Sequence, residues 1–114
     1  MSENQLVSAA PIEVGSLDLE GMAHHADEAA RLLKALSNRS RLMVLCLLAA
    51  GELSVGELQT RLPLSQSALS QHLAVLRRDQ LVKTRRESQT IYYSLHDEKA
   101  ARVIRLLHEM FCET

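Results

Sequence analysis

The stretch from Ser65 to Arg78, SQSALSQHLAVLRR, combines an apolar helical stripe with a polar face that carries little charge. Leu69, Leu73 and Leu76 recur at spacings of three and four residues, which predicts a helix with one buried face. An ordinary solvated face is rich in Lys, Glu and Arg, whereas this one begins with serine and glutamine. Such a face is unusually rich in uncharged hydrogen-bonding side chains, and the rest of the chain must show what it contacts.

Length and composition favour one domain with a mostly helical core. The chain has 114 residues, and its aromatic residues are Tyr92, Tyr93 and Phe111, so the core must be built from aliphatic side chains. No apolar run approaches the ~20 residues of a membrane span, and no signal peptide is recognisable. A cytoplasmic protein with reduced thiols and no membrane partner is therefore expected.

Charge is distributed unevenly along the chain. The formal net charge is −1, which alone argues against a nucleic-acid partner. Residues 1–30 hold six acidic side chains and no Lys or Arg, whereas residues 31–93 hold ten Lys or Arg and four Asp or Glu. Because an electrostatic footprint on DNA is local, this asymmetry matters more than the sum.

The first half of the chain predicts a tail and two helices. Residues 1–16 lack any period and are predicted to be a flexible tail, and residues 17–114 form the domain. Asp18 is a candidate cap for a first helix that reaches about Leu36. Ser37 or Asn38 caps a second, well-buried helix, which Gly51 ends.

The middle of the chain predicts a helix-turn-helix. Ser54 followed by Glu57 is typical of a capping box and opens a short helix to about Leu62. Pro63 breaks that helix, and Ser65 caps the next one, which is the opening stretch. Two short helices joined by a turn of three or four residues form a helix-turn-helix.

The segments LVKTRR and TIYYSL, joined by ESQ, predict a β-hairpin with arginines near its start. Asp97 and Glu98 then begin a last helix, where negative charge suits the N-terminal dipole. The predicted fold class is therefore mainly α with a small β-hairpin, arranged as a winged helix-turn-helix.

This order of elements predicts that the polar helix reads DNA. The second helix of a helix-turn-helix enters the major groove, where amides and hydroxyls pair with base edges. Basic residues after it supply contacts to phosphate. The alternative is a polar surface helix without function. The residues predicted to contact DNA are Gln66, Ser67, Ser70, Gln71, His72, Arg77, Arg78, Lys83, Arg85, Arg86 and Gln89.

The segments LLKALSNRSRLMVLCLL, ELSVGEL, LSQSALSQHLAVLRRDQLV and TIYYSL resemble the ArsR/SmtB family of winged-helix repressors. The resemblance covers roughly residues 20–112. It implies a homodimer that binds an inverted-repeat operator and releases it in response to an inducer. By the same resemblance, residues 22–36 and 97–112 are the helices of the dimer interface.

The metal sites of that family are incomplete in this chain. The positions that match the paired cysteines of its arsenic sensors hold Ser54 and Gly56, which cannot bind a soft metal. In the pattern of its zinc sensors, Asp97 is followed by Lys99, and a later ligand position holds Met110. His108 and Cys112 lie one turn apart, but two ligands do not complete a zinc site. No metal or cofactor is predicted.

Two cysteines remain to be explained. Taken alone, Cys46 is a small core residue and Cys112 an incidental thiol near the C-terminus. Their placement in LMVLCLL and LLHEMFC resembles a subgroup of the family in which such a pair forms a sulfur bridge in response to persulfides. Arg41 or His108 could lower the pKa of one thiol.

The resemblance thus implies a regulator that binds operator DNA when Cys46 and Cys112 are reduced and releases it when they are bridged. A zinc-responsive regulator and an inducer-free regulator on the same scaffold remain alternatives. An enzyme using cysteine and histidine is a remote one, because no nucleophile motif or phosphate loop is present. The chain is therefore not expected to be an enzyme.

Overall fold

Five helices and three strands follow one another along residues 18–112, the range that the structure, a computed structural model, describes. The order of a short helix, a turn, a second helix and a β-hairpin confirms the winged helix-turn-helix and a mainly helical fold. The tail predicted over residues 1–16 lies outside the described residues. In chain order the elements are α1 (Leu19–Leu36), α2 (Arg39–Ala49), β1 (Leu53–Ser54), α3 (Val55–Arg61), α4 (Gln66–Arg78), β2 (Val82–Glu87), β3 (Thr90–Leu95) and α5 (Glu98–Phe111).

Each helix begins at a side chain that accepts a hydrogen bond from an otherwise unpaired backbone N–H. Asp18 caps α1, and Asn38, rather than Ser37, caps α2. The Ser54 hydroxyl accepts from the Glu57 N–H at 3.1 Å while the Glu57 carboxylate accepts from the Ser54 N–H at 2.8 Å, so the predicted capping box is confirmed. In the same way, Ser65 caps α4 and Asp97 caps α5.

The second helix, α2, is the centre of the core. It packs against α1, α4, α5 and β3. Its Val44 and Leu45 are fully buried, as is Leu69 on α4. This arrangement fixes α4 against the body of the protein through one face and leaves its other face exposed. None of the helices in the described part of the chain is both long and apolar enough to cross a membrane.

The sheet contains one more strand than the sequence predicts. The hairpin of β2 and β3 is confirmed, but β1 pairs antiparallel with β3, so the strand order is β1-β3-β2. In the register, Leu53 lies opposite Tyr93 and Ser54 lies opposite Tyr92. A strand of two residues is too short to show the alternation from which strands are recognised, so the sequence does not reveal it.

Candidate nucleic-acid interface and thiol pair

The face of α4 that points away from the core is polar and exposed. At about 100° per residue, Gln66, Ser70, Ser67 and Gln71 fall within an arc of about 140°, which Arg77 and Arg78 share one or two turns later. All six side chains are exposed, whereas Leu69, Leu73 and Leu76 are buried on the opposite side.

His72 occupies a different position from the other predicted residues of α4. It is half-buried, and at about 100° per residue it lies roughly opposite the middle of this arc, next to Leu76. Ser67 has a neighbour of its own, since its hydroxyl lies 3.4 Å from that of Ser65. The outer arc of α4 is therefore formed by two glutamines and two serines, with the two arginines at its C-terminal end.

The cations of α4 and the wing differ in how they are paired. Lys83, Arg86 and Arg77 are exposed and make no ion pair within residues 18–112. Arg78 pairs with Asp79, with 3.2 Å between Nε and Oδ1. Gln89 lies exposed in the two-residue turn between β2 and β3.

Arg85 is the most heavily paired cation of the wing. Its Nε and Nη2 donate to the Glu52 carboxylate at 2.9 and 2.8 Å, and its Nη1 donates to Glu87 at 3.2 Å. Its guanidinium also lies 4.5 Å from the centre of the Tyr92 ring. A DNA phosphate has to compete with these partners. No local sequence signal identifies Glu52, because it is 33 residues away from Arg85 along the chain.

The two thiols lie on helices that pack against each other. Cys46 is half-buried on α2, Cys112 is exposed at the end of α5, and both are free thiols. Burial raises the pKa of the Cys46 thiol, and negative charge on Cys112 raises it further. At Cys46, therefore, the suggested lowering of the thiol pKa by Arg41 or His108 is not found. The Arg41 guanidinium is instead hydrogen-bonded to the carbonyls of Lys34 and Ala35 at the end of α1.

The positions that match the metal sites of the resembled family have structural roles here. Ser54 is buried and caps α3, and Asp97 caps α5 by accepting from the Lys99 N–H at 2.9 Å. Within residues 18–112, no three His, Cys, Asp or Glu side chains come together as a group that could hold a metal ion.

Exposed apolar side chains concentrate on the first and last helices. Leu106 is 54% exposed and Phe111 is 78% exposed, so α5 presents an apolar face to solvent in the single chain. A groove of about 1040 Å³ runs between α1 and α5 and is lined by Met22, Leu32 and Val103 among others. The large apolar side chains that are exposed on these two helices are Leu19, Met22, Leu33, Leu106, Met110 and Phe111.

Comparison with known proteins gives one consistent result. Residues 38–84 match the bacterial regulatory protein, arsR family. The chain is 53% identical over 97 residues to the transcriptional activator HlyU of Vibrio cholerae, which covers 85% of this chain and 90% of that protein. It is 48% identical over 102 residues to the biofilm growth-associated repressor of Agrobacterium fabrum, which covers 90% of this chain and 87% of that protein.

Solved structures agree with the fold. The structure of reduced HlyU from Vibrio cholerae matches with a TM-score of 0.76 and 53% identity, over 82% of this chain and 99% of that one. The repressor BigR from Xylella fastidiosa matches with a TM-score of 0.78 and 44% identity, over 86% and 100%. A homodimeric winged helix-turn-helix DNA-binding domain from Mycobacterium bovis matches with a TM-score of 0.70 and 32% identity, over 90% and 99%.

Proposed function

The chain belongs to the arsR family of bacterial regulatory proteins, and we propose that this regulator binds operator DNA when Cys46 and Cys112 are reduced and releases it when reactive sulfur species bridge them. The observation that carries the proposal is the placement of these two free thiols on the packed helices α2 and α5. Its relatives are transcriptional regulators and not enzymes.

The DNA-binding face consists of the outer arc of α4 and the wing. Gln66, Ser67, Ser70 and Gln71 discriminate bases, because amides and hydroxyls match the donor and acceptor pattern of the major groove. Arg77, Arg78, Lys83 and Arg86 supply affinity through phosphates, and Gln89 extends from the wing tip. His72, half-buried on the opposite side of α4, supports the reading helix.

This interface is tested by two single variants. Gln71→Ala should weaken binding to the operator by about 1–3 kcal/mol and relax base preference at one position. Arg86→Ala should weaken binding to all sequences. It should also reduce the salt slope, the slope of the logarithm of the binding constant against the logarithm of salt concentration, by about one for each phosphate that the arginine neutralises in the wild type. Arg31→Gln, which removes an exposed charge from α1, is the control and should change neither quantity. If Gln71→Ala and Arg86→Ala together leave affinity unchanged, this face does not contact DNA.

A second copy of the chain covers the apolar face of α1 and α5. Exposed side chains such as Leu106 and Phe111 are unfavourable in water, and a self-complementary contact buries them in both protomers. A two-fold dimer then presents two reading helices to an inverted repeat, with half-sites about one helical turn or a multiple of it apart.

The chemistry of the switch begins at the exposed thiol. Cys112 takes up one sulfane sulfur from each of two persulfide molecules, and each donor leaves as a thiol. The Cys46 thiolate then attacks the middle sulfur of the resulting Cys112 trisulfide chain, and HS⁻ leaves. The product is a Cys46–S–S–S–Cys112 trisulfide, in which one inserted sulfur atom lies between the two cysteine sulfurs, together with two thiols and one hydrogen sulfide. The donors are thus reduced as the dithiol is oxidised.

Inserted sulfur suits two cysteines on neighbouring helices. A direct disulfide needs Cα atoms within about 7 Å, whereas helix axes pack about 8–10 Å apart. One or two added sulfur atoms span a wider gap without moving the backbone. Closing a loop of about 66 residues is worth roughly 4 kcal/mol in the chain-entropy model, against about 1–3 kcal/mol for typical allosteric coupling. That value stabilises the folded chain as a whole, and strain of about 1–3 kcal/mol between the bridged and the DNA-bound arrangement of α4 is enough to reduce operator occupancy.

The switch is tested by measuring operator binding and bridge formation on the same samples. Protein that is reduced, persulfide-treated, peroxide-treated or zinc-loaded is assayed by fluorescence anisotropy, and each sample is then analysed by mass spectrometry. Persulfide should add sulfur mass, link the peptides that bear Cys46 and Cys112 within one chain, and release DNA in proportion to the linked fraction. Peroxide should close the bridge more slowly.

Two cysteine variants serve as matched controls. Cys46→Ser and Cys112→Ser should each bind operator like the reduced wild type and lose the response to persulfide. Release of DNA by persulfide-treated Cys46→Ser protein would refute the two-cysteine switch. If zinc releases operator DNA from the wild type and from both variants, the metal-responsive alternative is established instead.

A further inference from the structure

One face of the sheet carries a set of contacts that joins all three strands. Arg85 on β2 lies over the ring of Tyr92 on β3, and it binds both oxygens of Glu52, which directly precedes β1. Glu87, two residues further along β2, accepts from the same guanidinium. We call Arg85, Glu52 and Tyr92 the wing staple.

The wing staple connects the wing to the first helix of the helix-turn-helix. Glu52 lies two residues before Ser54, which pairs with Tyr92 in the sheet and caps α3. Arg85 pairs with the same Tyr92 from the other side. These contacts therefore link the hairpin to the start of α3 through one tyrosine and one carboxylate.

The two neighbouring arginines of β2 lie on opposite faces of the sheet. Side chains alternate along a strand, so Arg86 shares its face with Val82, which is buried in the core. Arg85 lies on the other face with Glu87. Arg86 carries no carboxylate partner within the described residues, whereas Arg85 has two.

We propose that Arg85 is a positioning residue that holds the wing at its DNA-binding angle through Glu52, and that it does not contact phosphate itself. This inference rests on the proposed DNA-binding function and changes the role predicted for Arg85 from the sequence. A carboxylate that binds a phosphate-contacting arginine opposes DNA binding, because it competes with the phosphate. A carboxylate that fixes the wing favours DNA binding, so the two roles predict opposite signs for the removal of Glu52.

The strength of the wing staple comes from its geometry. Single ion pairs on a protein surface contribute little, but a bidentate pair between arginine and a carboxylate within a network contributes more. The Arg85 side chain is 51% exposed and the Glu52 side chain 33% exposed, so salt still screens the pair in part. We therefore expect a moderate effect on DNA binding, of about two- to five-fold in Kd.

The test uses full-length protein and the duplex that the wild type selects from a random pool. Kd is measured across a series of salt concentrations for the wild type, Arg85→Gln, Glu52→Gln and Arg86→Gln. Arg85→Gln and Glu52→Gln should weaken binding by about two- to five-fold with unchanged salt slope. Arg86→Gln should reduce the slope by about 0.9 for each phosphate that Arg86 neutralises in the wild type. Glu87→Gln removes an equal charge but leaves the bidentate pair intact, so it should not weaken binding.

A charge exchange distinguishes position from contact. The double variant Glu52→Arg with Arg85→Glu restores the ion pair at the same net charge, and it should recover binding relative to either single exchange. Hydrogen exchange of the DNA-free proteins should show faster exchange of β2 and β3 amides in Glu52→Gln and in Arg85→Gln than in the wild type. If the wild type selects no DNA, the proposed function fails. Hydrogen exchange still shows whether the wing staple holds β2 and β3, because it is measured without DNA.

Two results would overturn the inference. If Arg85→Gln reduces the salt slope as Arg86→Gln does and Glu52→Gln tightens binding, Arg85 is a phosphate contact. If both variants leave affinity and hydrogen exchange unchanged, the wing staple does not position the wing.

Discussion

At the scale of single residues, the environment of Cys46 determines how the switch closes. Burial and the neighbouring Cys112 raise the pKa of the Cys46 thiol, so little of it is thiolate near neutral pH. Only the thiolate attacks sulfur. In the proposed switch the two thiols therefore have separate roles, in which exposed Cys112 accepts sulfur and Cys46 closes the bridge.

This difference predicts the pH dependence of bridge closure. Once Cys112 carries its sulfur chain, the closing rate should rise about tenfold per pH unit and continue to rise above about pH 8.5, where an ordinary thiol levels off. Rapid-quench mass spectrometry of linked peptides measures this step, and Cys46→Ser protein reports sulfur uptake at Cys112 alone. A closing rate that is independent of pH would contradict the role of Cys46 as the attacking thiolate.

The same shift has a consequence for stability. A thiol whose pKa is higher in the folded than in the unfolded state favours folding while it is neutral. Its contribution is therefore complete below the unfolded pKa of about 8.5 and disappears as the pH rises through the folded pKa.

Long-range pairing was the part of the site that the sequence could not predict. The residue types and the outer arc of α4 follow from local spacing, so its serines and glutamines could be placed on one exposed face. The pairing of Arg85 with Glu52 joins residues 33 positions apart, and it depends on how the strands are ordered. The contact between Arg41 and the end of α1 spans only six residues, but it depends on how α1 and α2 are oriented, which no local pattern predicts.

At the scale of elements, the end of α4 adopts a Schellman motif without glycine. The Leu81 N–H donates to the Leu76 carbonyl at 2.9 Å, and the Gln80 N–H donates to the Arg77 carbonyl at 3.0 Å. Gln80 has a φ of +61°, in the left-handed region where side chains other than glycine are disfavoured. The motif directs the chain from α4 into β2 and so relates the reading helix to the wing.

Gln80→Gly should therefore stabilise the protein. Relief of the left-handed conformation outweighs the greater freedom of glycine in the unfolded chain, and the expected gain is about 0.5–1 kcal/mol. Urea denaturation of the reduced dimer at fixed concentration measures the change. Gly51→Ala is the reverse test, because a φ of +151° at that position disfavours a side chain even though the space around it is open. A decrease in stability in Gln80→Gly would show that other contacts of the Gln80 side chain dominate.

Helix starts were predicted well from the sequence because capping is local. Asp18, Ser54, Ser65 and Asp97 each lie within three residues of the N–H that they accept from. The end of α4 was less evident because glutamine occupies the position where glycine usually marks the motif.

At the scale of the whole molecule, the proposed switch has to connect α5 to the reading helix. The last helix contributes both Cys112 and the exposed apolar face, and it packs on α2, which in turn packs on α4. A tie between α1 and α5 adds to this arrangement, with 2.7 Å between the Lys99 Nζ and the Glu28 carboxylate. A bridge that restrains α5 therefore acts on the dimer contact and on α4 through the same helix.

Dimerisation through this face is tested by placing a charge on it. Leu106→Glu should shift the protein from dimer to monomer in sedimentation velocity at micromolar concentration, because the carboxylate becomes buried against the partner chain. Since each protomer contacts one half-site, dissociation of the dimer should weaken operator binding by about 100-fold. Met43→Glu is the matched control: Met43 is also a large exposed apolar residue, 40% exposed on α2, and its substitution should leave the dimer intact. A dimer that survives Leu106→Glu, or one that dissociates equally in Met43→Glu, would place the contact between protomers on a different surface.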